Sequence, residues 1–154
     1  MIKPTQIILA LSIFGITSFA MADCEKGSKT VFSCVTAKDK VIEVCDSGKT
    51  IDYSYGKNKL KPEIVVRAPR KEASTTQWQG FGKHMSNSVE IPNGNTIYSV
   101  FKGVDKMMEG DKKEPQVEAG VSVEINKKHI TTVKCDNKKS IIENIEGINL
   151  KSTE

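Results

Sequence analysis

Apolar and polar residues alternate with a period of two through most of this chain. Turn-forming dipeptides break the alternation roughly every ten residues, the spacing of all-β sandwiches and barrels. Successive side chains of a strand point to opposite faces, so each such segment presents one apolar face for burial. "KTVFSCVTA" and "KVIEVCD" flank Lys38-Asp39, which predicts a two-residue hairpin turn. In that register Val31 and Val35 share an apolar face with Ile42 and Val44, while Cys34 and Cys45 lie on the other. "TIDYSYG" and "PEIVVRAP" add two strands, the second bracketed by Pro62 and Pro69. "NSVEIP" and "TIYSVFKGV" flank Asn93-Gly94, the strongest hairpin signal in the chain. "AGVSVEIN" and "HITTVKCD" flank a further reversal at Lys127-Lys128. "IIENIEGINL" closes the chain as a strand or a short helical turn, and "GVDKMMEGDKKEP" reads as a loop with at most one turn of helix. The expectation is an all-β fold: a compact antiparallel β-barrel or sandwich of about eight strands, with less than about a fifth of its residues helical.

Residues Met1 to Ala22 carry one basic residue, Lys3, then the apolar run "IILALSIFGITSFA" and a small-x-small site at Ala20-Met21-Ala22. This is the pattern of a cleaved signal peptide, and the run is shorter than the roughly 20 residues that span a bilayer. Asp23 before Cys24 argues against a lipid-modified cysteine, which follows a small residue. The expectation is a soluble product of residues 23–154 in the periplasm or medium, one domain with no membrane insertion after cleavage.

Of the 23 basic residues only Lys3 lies in the leader, so three more basic than acidic side chains remain against the 19 acidic ones. The signs are interspersed. The densest basic run, Lys57-Asn58-Lys59-Leu60-Lys61, reads as a strand-end loop. Nucleic-acid binding calls for a one-sided basic stripe with interleaved aromatics, which this sequence does not show.

The four cysteines, Cys24, Cys34, Cys45 and Cys135, are an even number in an oxidising compartment, which favours two disulfides. No Cys-x-x-Cys pair occurs, and neither His84 nor His129 neighbours a cysteine, so no metal or other cofactor is expected. Three connectivities are possible. Cys24–Cys34 with Cys45–Cys135 is preferred, because Cys34 and Cys45 are only diagonal neighbours in the expected hairpin. The longer bond would close a loop of about 90 residues, restricting the unfolded chain by about 4 kcal/mol.

Catalytic signatures are missing: no Gly-x-Ser-x-Gly, no His-Glu-x-x-His, no phosphate loop and no dinucleotide-binding glycine pattern. Glu114 and Glu118 stand in a polar stretch and are better explained as solubilising charge. The chain is expected not to be an enzyme. One segment has the makeup of a recognition surface: "STTQWQGFGKHMSNS" combines Trp78, Phe81, Gly80, Gly82, Lys83 and Ser86. Rigid aromatics supply contact area there, and small polar residues adapt to a partner. The alternative is that Trp78 and Phe81 turn inward and plug one end of the fold.

The segments "EVCDSG" around Cys45, "NTIYSVFKG" from Asn95 to Gly103 and "TTVKCD" around Cys135 resemble parts of the small periplasmic lysozyme inhibitors. That resemblance implies a compact antiparallel β-barrel whose Ser-Gly-x-x-Tyr loop enters the lysozyme cleft, where hydroxyl and basic groups engage two catalytic carboxylates. Here Ser47-Gly48 is followed by Ile51 at the tyrosine's place, and Tyr53 stands two residues later. Ser47 and Tyr53 are thus one candidate pair for the inserted loop. Chain order offers "QGFGKHMSNS" as the other, with Lys83 and Ser86 as contacts. The expected partner is a lysozyme-type or other cell-wall hydrolase; a non-catalytic envelope β-domain with a structural or ligand-binding role is the competing expectation.

Overall fold

The computed structural model describes residues 24–80, 82, 84–105 and 115–153. The leader, Phe81, Lys83 and most of the "GVDKMMEGDKKEP" loop lie outside the described residues. Eleven strands run in chain order: β1 Lys29–Val35, β2 Lys40–Asp46, β3 Thr50–Lys57, β4 Ile64–Pro69, β5 Ser74–Thr76, β6 His84–Asn93, β7 Thr96–Asp105, β8 Gln116–Ile125, β9 Lys128–Lys134, β10 Ile141–Glu143 and β11 Lys151–Ser152. They form a five-stranded sheet ordered β10-β1-β2-β3-β4 and a six-stranded sheet ordered β11-β5-β6-β7-β8-β9. All neighbours are antiparallel except the short pair β11–β5. The all-β expectation holds, as a sandwich with open sheet edges rather than a closed barrel, and the described residues contain no helix. None is therefore long and apolar enough to cross a membrane.

One apolar core lies between the sheets, built from Phe32, Ile42, Val44, Ile51 and Tyr53 on one side and Val89, Ile91, Val100 and Val121 on the other. Tyr53 stacks on Tyr98 of the opposite sheet with ring centroids 4.7 Å apart. Burial, aided by the Tyr98 and Tyr55 rings, pushes the Tyr53 phenol well above its ordinary value.

The first hairpin differs from expectation by a single residue. Its loop has three residues, Ala37-Lys38-Asp39, closed by Thr36 N–H donating to the Lys40 carbonyl at 2.8 Å. Asp39 takes the left-handed conformation (φ 57°), as the last residue of such a loop commonly does. One residue is enough to turn every side chain of a strand to the other face. Cys34 therefore faces Ile42, and Phe32 faces Val44. A bulge between Thr30 and Phe32 then buries Val31 as well, while Val35 is only half-buried.

This register decides the disulfides. Cys34, 1% exposed, points into the core and bonds Cys135; Cys45, on the outer face of β2, bonds Cys24. The expected pairing of Cys24 with Cys34 and Cys45 with Cys135 is corrected, because Cys34 faces the core where Cys135 is buried, while Cys45 faces the outer side where Cys24 lies. Both cysteine pairs are closed and none is free. Cys135 sits where the chain leaves one sheet for the other. Its N–H donates to Ala119 of β8, it bridges Thr36 beyond β1, and Asp136 N–H donates to Val35. At Gly120 the backbone of β9 comes so close that an added Cβ would collide with the Val133 carbonyl oxygen and lie 3.0 Å from Lys134 Cα.

Candidate functional site

Of the sequence candidates, the connection from β5 to β6 is the one whose described residues are anchored at the base and exposed beyond it. Its base is anchored. The β5 hydroxyls point into hydrogen bonds with β6: Thr75 Oγ1 donates to the Ser88 carbonyl at 2.8 Å and Ser74 Oγ to Glu90 Oε2 at 3.2 Å. Gln77 clamps the loop to the C-terminal segment by donating Nε2–H to the Ile148 carbonyl and accepting from Gly147 N–H, both at 3.0 Å. The Trp78 N–H donates to Asn87 Oδ1 at 3.0 Å.

Beyond that base the described residues reach solvent. Trp78 is 37% exposed, and Gln79, Gly80 and Gly82 are exposed. Gly80 and Gly82 have φ of 86° and 83°, a region that costs any residue with a Cβ, and neither has an atom within 4 Å of where a Cβ would be. The glycines thus serve the loop's own bend, not a tight contact. Trp78 has a substantial outward share, so it does not fold wholly inward as a plug. Phe81 and Lys83 lie outside the described residues.

The remaining candidates separate. Ser86 is half-buried on β6 opposite Gly103, directly beyond the loop. The His84 ring lies over that same glycine, 3.2 Å from where its Cβ would be. Ser47 sits on the other sheet, in the β2–β3 turn, where its Oγ accepts from the N–H groups of Lys49 and Thr50 and bonds Thr50 Oγ1 at 2.8 Å. That hydroxyl builds the turn. Tyr53, at 2% exposure, is core, so its ring is corrected from a surface contact to a packing residue. The short "DSGK" segment accordingly connects strands. Gln77, Asn87 and Gly147 complete the loop's base without any local sequence signal, since Gln77 reaches a partner 70 positions away.

Metal chemistry finds no thiolate. Cys24, Cys45 and Glu43 bring donor atoms within 4.8 Å of one another, but the two sulfurs are joined in a disulfide. Among ion pairs, Arg70–Asp46 at 3.3 Å pins the β4–β5 connection to the β2 end, and Arg67–Glu25 at 2.6 Å holds the N-terminal segment on the outer face. The hydrogen bond to Glu25 raises the Arg67 pKa further. No protein-family model, curated protein or solved structure matches this chain.

Proposed function

We propose that this chain is an exported, non-catalytic β-sandwich that blocks a lysozyme-type or other peptidoglycan-cleaving enzyme by offering its β5–β6 loop to the enzyme's cleft. The observation that supports this reading is the loop itself, hydrogen-bonded at its base, with Gln79, Gly80 and Gly82 exposed and Trp78 37% exposed. Pre-ordering of this kind lowers the entropy lost on binding, and tryptophan is among the side chains enriched at interface hot spots. Glycosidases place two carboxyl groups across their cleft, so a narrow loop bearing donors suits that site. The excess of three basic residues gives no attraction toward a strongly basic lysozyme and directs the proposal to a less basic or acidic hydrolase.

Inhibition of a panel of lysozymes and bacterial cell-wall hydrolases tests this reading. Trp78→Ala is expected to weaken binding at least thirtyfold, the hot-spot range of about 2 kcal/mol or more. Gln79→Glu, which sets a carboxylate at the exposed tip and gives up the Gln79 Nε2–H bond to the Gln77 carbonyl, is expected to weaken it with at most a small fall in melting temperature. Inhibition unchanged in both variants removes the loop from the mechanism. A wild-type protein that inhibits nothing in the panel leaves the envelope-domain reading in its place.

A further inference from the structure

Three connections far apart in sequence meet at one end of the five-stranded sheet: the β1–β2 turn, the β3–β4 loop and the segment between β9 and β10. Asn58 N–H donates to the Asp39 carbonyl at 3.1 Å, joining the first two. Lys139 Nζ donates to the Thr36 carbonyl at 3.4 Å and lies 3.9 Å from Asp39 Oδ1, joining the third. Together they bring Lys38, Lys40, Lys57, Lys59, Lys61, Lys138 and Lys139 to one end, and the acidic residues of the same three segments are Asp39, Glu63 and Asp136. The excess of lysines there exceeds that of the whole chain after its leader, so the rest of the surface is close to balanced.

The lysines are crowded. Lys40 and Lys57 face each other directly across β2 and β3, an unfavourable arrangement for like charges. Lys40 is relieved by Glu63 at 2.7 Å and by the Tyr55 ring at 5.0 Å. Lys57 projects from the exposed end of β3. In the turn that follows, Leu60 N–H donates to the Lys57 carbonyl and Lys59 adopts a left-handed backbone (φ 62°). The result lifts Leu60 outward between Lys59 and Lys61, and at 65% it is the most exposed large apolar side chain described.

We propose that this tip docks on the anionic phospholipid surface of a bilayer, with Leu60 entering the headgroup region and the lysines pairing with lipid phosphates. An apolar tip ringed by cations has the two attractions that peripheral membrane binding combines. A nucleic-acid surface would call for aromatics to stack on bases, and none of the three segments has one. An acidic protein partner would not explain an isolated leucine at the apex. This inference is independent of the β5–β6 loop, which lies on the other sheet.

The test is cosedimentation of the exported protein with vesicles of phosphatidylethanolamine and phosphatidylglycerol, against vesicles of phosphatidylcholine alone. Binding is expected only to the former and should weaken with salt. Each lysine near an anionic surface is worth about 1 kcal/mol, or roughly fivefold, so K57Q/K59Q/K61Q should lower partitioning on the order of a hundredfold. Leu60→Ser should lower it about tenfold. K26Q/K49Q/K71Q, which removes three charges from other segments, should bind as the wild type does. Equal binding to phosphatidylcholine, or an equal loss in K26Q/K49Q/K71Q, overturns the proposal. Tight binding to heparin or duplex DNA that Leu60→Ser leaves unchanged also overturns it, and assigns the tip to a soluble polyanion.

Discussion

Removing the two disulfides one at a time should have unequal consequences. Cys24 and Cys45 are separated by 21 positions, Cys34 and Cys135 by 101. In the chain-entropy treatment, opening the first frees the unfolded chain by about 3.4 kcal/mol and opening the second by about 4.7 kcal/mol. Packing widens the gap. Cys34 is 1% exposed and Cys135 8%, both within the core, so Cys34→Ala with Cys135→Ala also leaves a void costing on the order of 1 kcal/mol. Cys24 is only half-buried on the outer face. The core bond should therefore cost about 5–6 kcal/mol, against about 3 kcal/mol for the peripheral one. Since a domain of this kind has roughly 5–15 kcal/mol in all, the Cys34/Cys135 double variant should be at the edge of folding and the Cys24/Cys45 variant should remain folded. Urea unfolding followed by the fluorescence of the sole tryptophan, Trp78, measures both, with peptide mapping under non-reducing conditions to assign the bonds. Equal losses, the reverse order, or a recovered Cys24–Cys34 peptide would refute the reasoning.

Gly120→Ala should destabilise by about 2 kcal/mol, because the new methyl collides with the Val133 carbonyl and pushes β9 away just before Cys135. The melting temperature would fall by roughly 8 °C, and an unchanged value would show that β9 yields freely. Tyr53 makes stability fall in alkali. Its phenol is raised in the fold above an unfolded value near 10, so its contribution is intact below about pH 10 and is lost as pH rises toward the folded value. Urea midpoints of wild type and Tyr53→Phe measured through this range should converge or cross as the pH increases; parallel curves would contradict the assignment.

Much of the fold was legible because period-two alternation is a local property. β3, β4, β6, β7 and β8 lie where "TIDYSYG", "PEIVVRAP", "NSVEIP", "TIYSVFKGV" and "AGVSVEIN" place them. The three hairpins were found, yet each loop is offset by about one residue. The residues at the turns are Gly94-Asn95 rather than Asn93-Gly94, Asn126-Lys127 rather than Lys127-Lys128, and Ala37 to Asp39 rather than Lys38-Asp39. Which residue takes a positive φ is settled by the twist and pairing of whole strands, and those are not local.

The sequence by itself determined the all-β class, the even set of cysteines, and the tryptophan and two glycines of the β5–β6 connection. These depend on side-chain alternation, on counting, and on residues adjacent in the chain. Tertiary structure decided the rest. A single added loop residue turned Cys34 inward, and only the second sheet supplied its partner Cys135. Sheet packing took Tyr53 out of the candidate surface by stacking it on Tyr98. The run Lys57 to Lys61 is unremarkable alone; it becomes a concentrated positive tip because β1 and β3 end, and the segment before β10 lies, at the same end of the five-stranded sheet. Charge density is a property of space, and the chain brings those lysines together only once its strands have paired.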